Sequence, residues 1–261
     1  MSEEDKLVAI AEDFWNIRGS FKLASLVDVG TQSSLVRLQS GNFVLLDAYT
    51  LEGEILEEVM RLTSGGERVE AIINLHPFHT VHVEAVARQF PLARLYGTAR
   101  HPQEVPEVTW QPERVEEEAF QQLYSHDFLF SVPRGVELVP SNEKVHFASV
   151  LAYHKKSRTL HVDDTLTWID LPLVGGLKFH PTLKWALEQR RGAADEFEAW
   201  LTELASLSQR VEHLCTAHTK HLPPQGASSE EPDIASRIQG AIEDAREIAA
   251  QHRAQYDSSQ G

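Results

Sequence analysis

Three histidines fall within seven residues, in the run His76-Pro77-Phe78-His79-Thr80-Val81-His82. Imidazole is the commonest neutral metal ligand, and three of them leave an open coordination position for water or a substrate. The run directly follows Val69–Leu75, an apolar stretch of the kind a buried strand shows. A ligand cluster at the carboxyl end of a strand has the placement of an active site in an α/β protein. On spacing alone a second reading stays open, that these are polar loop residues in a chain holding 13 histidines.

Such residues need elements to hold them. Runs rich in Val, Leu and Phe at Phe21–Val29, Ser34–Leu38 and Phe43–Asp47 are separated by turn chemistry at Gly30-Thr31-Gln32 and Gln39-Ser40-Gly41-Asn42. They predict a β-meander after an N-terminal lead carrying Phe14 and Trp15. Glu52–Leu62 spaces Ile55, Leu56, Met60 and Leu62 as an amphipathic helix that stops at Ser64-Gly65-Gly66. A helix over Val83–Phe90 and a short strand around Ala93–Tyr96 complete a strand–helix–strand crossover, and a Pro-punctuated loop runs from His101 to Pro112.

The second half repeats that order loosely. Strands are expected at Asp127–Val132, Val136–Val139, Val145–Tyr153 and Thr159–Val162, helices at Thr182–Gln189 and Ala194–Ser208, and a strand at Val211–Thr216. Two strand-rich halves, each followed by helices, predict one α/β domain over residues 1–222, built as a four-layer αββα sandwich. Residues 223–261 then read as a linker of Pro, Gly, Ser and Glu and an exposed amphipathic helix, Ile234–Tyr256, strapped across that domain.

Composition narrows the function classes. The 261 residues are 42% hydrophobic and 24% charged, a globular balance with enough length for a sizeable core. The acidic start lacks an apolar signal-type run, and no stretch is long enough to span a bilayer. Cys215 is the only cysteine, which excludes an intramolecular disulfide and a thiolate metal cluster and favours a cytoplasmic setting. A net charge of −15 argues against sequence-independent nucleic-acid binding, so a small-molecule substrate is the expected partner.

Five segments in order resemble the metallo-β-lactamase superfamily. The meander ends in Phe43-Val44-Leu45-Leu46-Asp47, and the strand Ala71-Ile72-Ile73-Asn74-Leu75 runs into the histidine loop. Val145-His146 comes next, then Leu160-His161-Val162-Asp163-Asp164-Thr165-Leu166, then Val211-Glu212-His213-Leu214-Cys215-Thr216-Ala217-His218. The resemblance covers roughly Ser20 to Leu222 and implies a fold of the metallo-β-lactamase type. His79 and His82 match the last two histidines of the family's His-x-His-x-Asp-His motif. His146 matches its lone later histidine, Asp164 its metal-bridging aspartate and His218 its terminal histidine.

Two departures matter. The motif's first histidine falls on Pro77, unless one inserted residue lets His76 take its place, and the motif's aspartate falls on Val81, which has no ligand atom. The implied metal set is His76, His79, His82, His146, Asp164 and His218, with Asp164 also the catalytic carboxylate. Without the aspartate the second site is weakened, so one zinc ion fits better than two. The resemblance implies a metal-dependent hydrolase whose metal-activated hydroxide attacks an ester, thioester, amide or phosphodiester. The alternative is a catalytically silent member serving as a binding or structural module.

Other residues have plainer readings. Asp163 and Asp164 on one strand would point to opposite faces, so only one can face the site, and the resemblance implies that it is Asp164. The resemblance implies that Asp47 is a structural hydrogen-bonding residue. Cys215 reads as an inert apolar filler, and His101 either approaches the site from a neighbouring loop or, the plainer reading, is a solvent-exposed loop histidine. His154, His161, His180, His213 and His221 fit no pattern.

Overall fold

Side chains alternate between two apolar surroundings along most strands, so both faces of each main sheet are covered. A computed structural model describes residues 6–19, 22–23, 27–28, 30–169, 175–217, 221–223 and 231–257. Its first half runs β1 (Lys6–Ala11), β2 (Phe14–Gly19), β3 (Lys22–Leu23), β4 (Val27–Asp28), β5 (Thr31–Arg37), β6 (Phe43–Leu46), α1 (Gly53–Leu62), β7 (Val69–Ile73), α2 (Val83–Gln89), β8 (Arg94–Gly97), α3 (His101–Glu104) and β9 (Trp110–Arg114). The second runs α4 (Glu118–Leu123), β10 (Phe128–Ser131), β11 (Leu151–His154), β12 (Thr159–His161), β13 (Leu166–Ile169), β14 (Gly176–Phe179), α5 (Leu183–Ala186), α6 (Ala193–Ser208), β15 (His213–Cys215), β16 (His221–Leu222) and α7 (Ile234–Tyr256).

Two sheets dominate: seven strands ordered β1-β2-β5-β6-β7-β8-β9, and five ordered β10-β11-β12-β15-β16. The pairs β13–β14 and β3–β4 form small separate ribbons. In the first sheet the meander pairs antiparallel up to β6, and β6 through β9 pair parallel, as crossovers through α1 and α2 require.

On β6, Val44 and Leu46 join Val36, Ile73, Phe128, Phe130 and Ala152 in a core between the sheets. Phe43 and Leu45 turn the other way, onto Val59, Val83, Val86 and Phe90 beneath α1 and α2. The second sheet behaves likewise, with Leu151, Tyr153, Leu160 and Leu214 packing on Phe197, Trp200, Leu201 and Leu204 of α6. Helices, sheet, sheet, helices: this is the four-layer αββα sandwich expected.

Several element boundaries differ from expectation. Phe14–Gly19 is a strand, not a lead, and its side chains already span two layers. The expected Phe21–Val29 strand falls largely outside the described residues. Val136–Val139 is not a strand and makes one bridge, to Leu187. The long Val145–Tyr153 strand shortens to Leu151–His154. The 101–112 loop holds α3, and α4 and the β13–β14 ribbon had no sequence signal. Among the described residues no helix is long and apolar enough to cross a membrane.

Candidate metal centre

The chemistry-bearing residues converge at the carboxyl ends of the strands. Asp47 follows β6, His76 and His79 follow β7, His101 opens α3 after β8, and Asp163 and Asp164 follow β12. Asp47 holds a left-handed backbone (φ 58°), a conformation aspartate tolerates better than most residues. Its Oδ1 accepts the Leu75 N–H at 2.7 Å, which ties the end of β6 to the start of the histidine loop.

Asp164 Oδ2 is the focus of the first group. It lies 3.4 Å from His76 Nε2, 3.7 Å from His79 Nε2 and 3.7 Å from His146 Nδ1. The ligand atoms of His76, His146 and Asp164 lie within 4.8 Å of one another. His76 is fully buried and stacked on His79, with ring centroids 4.0 Å apart. Its Nδ1 accepts the Phe78 N–H at 3.2 Å and its Nε2 donates to the His146 carbonyl at 3.1 Å. Burial, then the neighbouring His79, push its pKa down to about 3, so it is neutral at physiological pH.

A second group lies deeper. His161 Nε2 meets Asp47 Oδ2 at 2.9 Å, and His161 Nδ1 meets Ser34 Oγ at 2.9 Å. Ser34 is held in turn by Asn16 Nδ2 at 3.0 Å, and Asn16 also donates to Gln32. Asp47, His161 and Asp163, all buried, also bring their ligand atoms within 4.8 Å of one another. Burial alone would raise Asp47, but the hydrogen bond and charge of His161 outweigh it and hold the carboxyl at about 2. Burial and the adjacent Asp47 push Asp163 well above the usual carboxylate range. Two buried carboxylates this close cannot both be charged without a compensating cation.

The same layers and chain order occur in solved metallo-β-lactamases. DIM-1 metallo-β-lactamase aligns with 93% of this chain and 98% of its own at 13% identity, with a TM-score of 0.60. This chain has the metallo-β-lactamase fold. A metallo-β-lactamase from Erythrobacter litoralis covers 96% of this chain and 98% of its own at 12% identity and a TM-score of 0.60. FIM-1 from Pseudomonas aeruginosa, in its mono-zinc form, covers 93% and 96% at 9% identity and a TM-score of 0.58. No family model matches the sequence, and no curated protein does.

Within this metallo-β-lactamase fold the expected residues divide. His76, His79, His146 and Asp164 come together. His82 instead sets its Nδ1 against Thr50 Oγ1 at 2.9 Å and its ring on Tyr49, and it joins neither group. Val81 faces solvent at 76% exposure. His218 lies outside the described residues. Cys215 is buried with its thiol pushed up to about 12, so it is inert as read from sequence.

Two readings are corrected. Asp163 and Asp164 sit in a turn after β12, not on a strand, so both face the chemistry. His101 is buried, not exposed, and burial pushes its pKa down to about 4. Its Nδ1 accepts the Thr98 N–H at 3.0 Å, and its ring passes so close to Gly97 that a Cβ there would sit 2.7 Å from it. His161 was missed. The available signal was its spacing, two residues before Asp163 at the carboxyl end of a strand.

Proposed function

We propose that the chain is a metal-dependent hydrolase of a small ester, thioester, amide or phosphodiester, with a divalent ion held by His79, His146 and Asp164. The observation that carries this reading is the pair of 3.7 Å gaps from Asp164 Oδ2 to His79 Nε2 and His146 Nδ1. They are too long for good hydrogen bonds and close to the roughly 3.3 Å separating ligands of one tetrahedral ion with bonds of about 2.0–2.1 Å. Mixed imidazole and carboxylate donors suit zinc.

His76 has a different part. A backbone N–H can only donate, so the Phe78 bond leaves His76 Nδ1 bare and puts its proton on Nε2. A ligand nitrogen needs its lone pair, and His76 Nε2 spends its proton on the His146 carbonyl. His76 is therefore a positioning residue that ties the histidine loop to the His146 segment. His79 has the useful arrangement: its Nδ1 faces Asp163 Oδ1 at 3.8 Å and its Nε2 faces Asp164. A carboxylate behind a histidine orients the other ring nitrogen toward a metal.

When bound, zinc there supplies Lewis acidity and makes hydroxide accessible near neutral pH. Asp164 anchors the set and is placed to orient a water and take up its proton. The half-exposed ring of Phe78 packs 4.9 Å from His146, with the Arg100 guanidinium over it at 4.7 Å.

Metal analysis of tag-free protein purified without added metal, with hydrolysis assays on p-nitrophenyl acetate and bis(p-nitrophenyl) phosphate, tests this. The His79→Ala/His146→Ala double variant is expected to lose one equivalent of metal and fall to background hydrolysis while keeping its fold. Unchanged metal content would remove the assignment. Full metal with no hydrolysis in the unsubstituted chain would favour the silent binding module, a reading that the solvent-facing Val81 already supports.

A further inference from the structure

The deeper group is chemically a different object from the first. It contains two carboxylates and one imidazole, lies wholly inside the sandwich, and shares no residue with the set around Asp164. We infer that Asp47, His161 and Asp163 form a second, buried site for a divalent transition-metal cation. It uses none of the residues of the histidine run His76 to His82.

One unpartnered atom points to a missing ligand. Asp163 Oδ2 is buried and finds no hydrogen-bond partner, although Oδ1 of the same carboxylate faces His79. Native structures keep a buried carboxylate oxygen without a partner for a reason.

The tautomers decide which histidine can bind. His76 and His101 each have Nδ1 committed to a backbone N–H, which fixes the proton on Nε2. His161 is not fixed in this way, because its Nδ1 faces a hydroxyl, Ser34 Oγ, and a hydroxyl both donates and accepts. His161 Nε2 donates to Asp47 Oδ2 at 2.9 Å; a bound cation would displace that proton, and Ser34 Oγ can accept from Nδ1 instead. Ser34 is held for either role by Asn16. A ligand histidine with a polar partner behind its second nitrogen is the usual arrangement of metal sites.

Charge agrees with this. Two ionised carboxylates carry −2, and a divalent ion makes the buried pair neutral. The nitrogen donor disfavours calcium and magnesium, and the two oxygens suit manganese, iron or zinc. His79 stands between the two groups, one ring nitrogen facing Asp163 and the other Asp164, so ions in the two sites would share it as a wall.

The test is a titration of the full-length, metal-stripped chain with Zn²⁺ and Mn²⁺, reading stoichiometry and thermal midpoint. The unsubstituted chain is expected to take two equivalents of Zn²⁺. His161→Gln, which touches no atom of the first set, is expected to lose one. Asp163→Asn copies the shape of the neutral acid, keeps the fold and should also lose one. His146→Ala should lose the other equivalent and still gain thermal stability from Mn²⁺ or Zn²⁺, and adding His161→Gln should abolish that gain. One equivalent removed by His146→Ala and untouched by His161→Gln overturns this site and leaves the proposed function standing. One equivalent with the reverse dependence keeps this site and removes that reading. No binding by the folded chain overturns both.

Discussion

Where the histidine motif would carry an aspartate, the Val81 side chain stands in solvent, and the next residue, His82, is turned onto Thr50 and Tyr49. Val81→Asp therefore buries nothing. It is expected to leave stability within about 0.5 kcal/mol of the parent, as for an ordinary surface change, and to add no metal. A further equivalent of zinc in that variant, measured by the same titration, would show that the loop still follows the motif's path. His76 gives the opposite expectation. His76→Ala removes the partners of the partly buried Phe78 N–H and His146 carbonyl and leaves a cavity at a fully buried position, and is expected to lower stability by about 1–3 kcal/mol. As a positioning residue it should also weaken zinc binding by about 10–100-fold without removing the site, which a competition titration against a chelator would read. The convergence of His79, His146 and Asp164 was legible because ligand types recur in a fixed order along the chain. His161, Asp163 and His101 were not, because their importance lies in partners distant in sequence. Ser34 is 127 residues from His161, and Asp47 is 114. No local spacing carries that information.

Among elements, the parallel core of the first sheet was readable. β6, α1, β7 and α2 each combine an apolar period with a turn or stop signal. The segment before β11 was not, since an apolar run reports burial and not strand geometry. Val145, Phe147 and Val150 are buried, yet the local backbone bonds lead outside any ladder: the Ser149 N–H goes to Thr165 Oγ1 and the Val150 N–H to the Leu75 carbonyl. That irregular path is what brings His146 beside Asp164. At the other end of β11, His154 packs on Phe14 and Phe128, and burial lowers its pKa to about 4. An unfolded histidine titrates near 6.5, so between about 4 and 6.5 the unfolded chain binds a proton that the folded one refuses. Stability from this residue is complete above pH 6.5 and is lost as pH falls toward 4, on the order of 3 kcal/mol in all. His154→Phe keeps the aromatic packing and should flatten that part of the stability–pH profile in urea melts. An unchanged slope would show that His154 ionises without penalty.

For the whole molecule, the order of strands and helices was enough to anticipate four layers, and the last helix packs on them more deeply than its sequence suggested. The Ile234–Tyr256 segment alternates apolar residues with charges and reads as a strap laid over a finished domain. In the structure Ile238, Ala241, Ile242, Ala245 and Ala249 are buried in the same core as Phe197, Leu201 and Leu204 of α6 and Leu177 of β14. The helix begins on an Asp233 side chain that accepts the Ser236 N–H at 2.7 Å, a cap that fixes where its apolar face starts. Its sequence looked exposed because the apolar positions are small or widely spaced, and alanines count for little in a periodicity reading. Buried against α6 they allow close approach of the two helices, so α7 supplies the outer wall of the second sheet's core. Removing it would uncover α6 and β14 together. Two isoleucines alone represent about 3–6 kcal/mol of burial, a large share of the 5–15 kcal/mol by which domains are normally stable, before the newly exposed faces are counted. A chain ending at residue 223 is therefore expected to lose its cooperative thermal transition by circular dichroism and to bind dyes that report exposed apolar surface. Ile238→Ala in the full chain should cost about 2–5 kcal/mol and still melt cooperatively. A truncated chain that melts cooperatively and keeps its metal would show that α7 is only a strap, and that residues up to 222 form a self-sufficient domain.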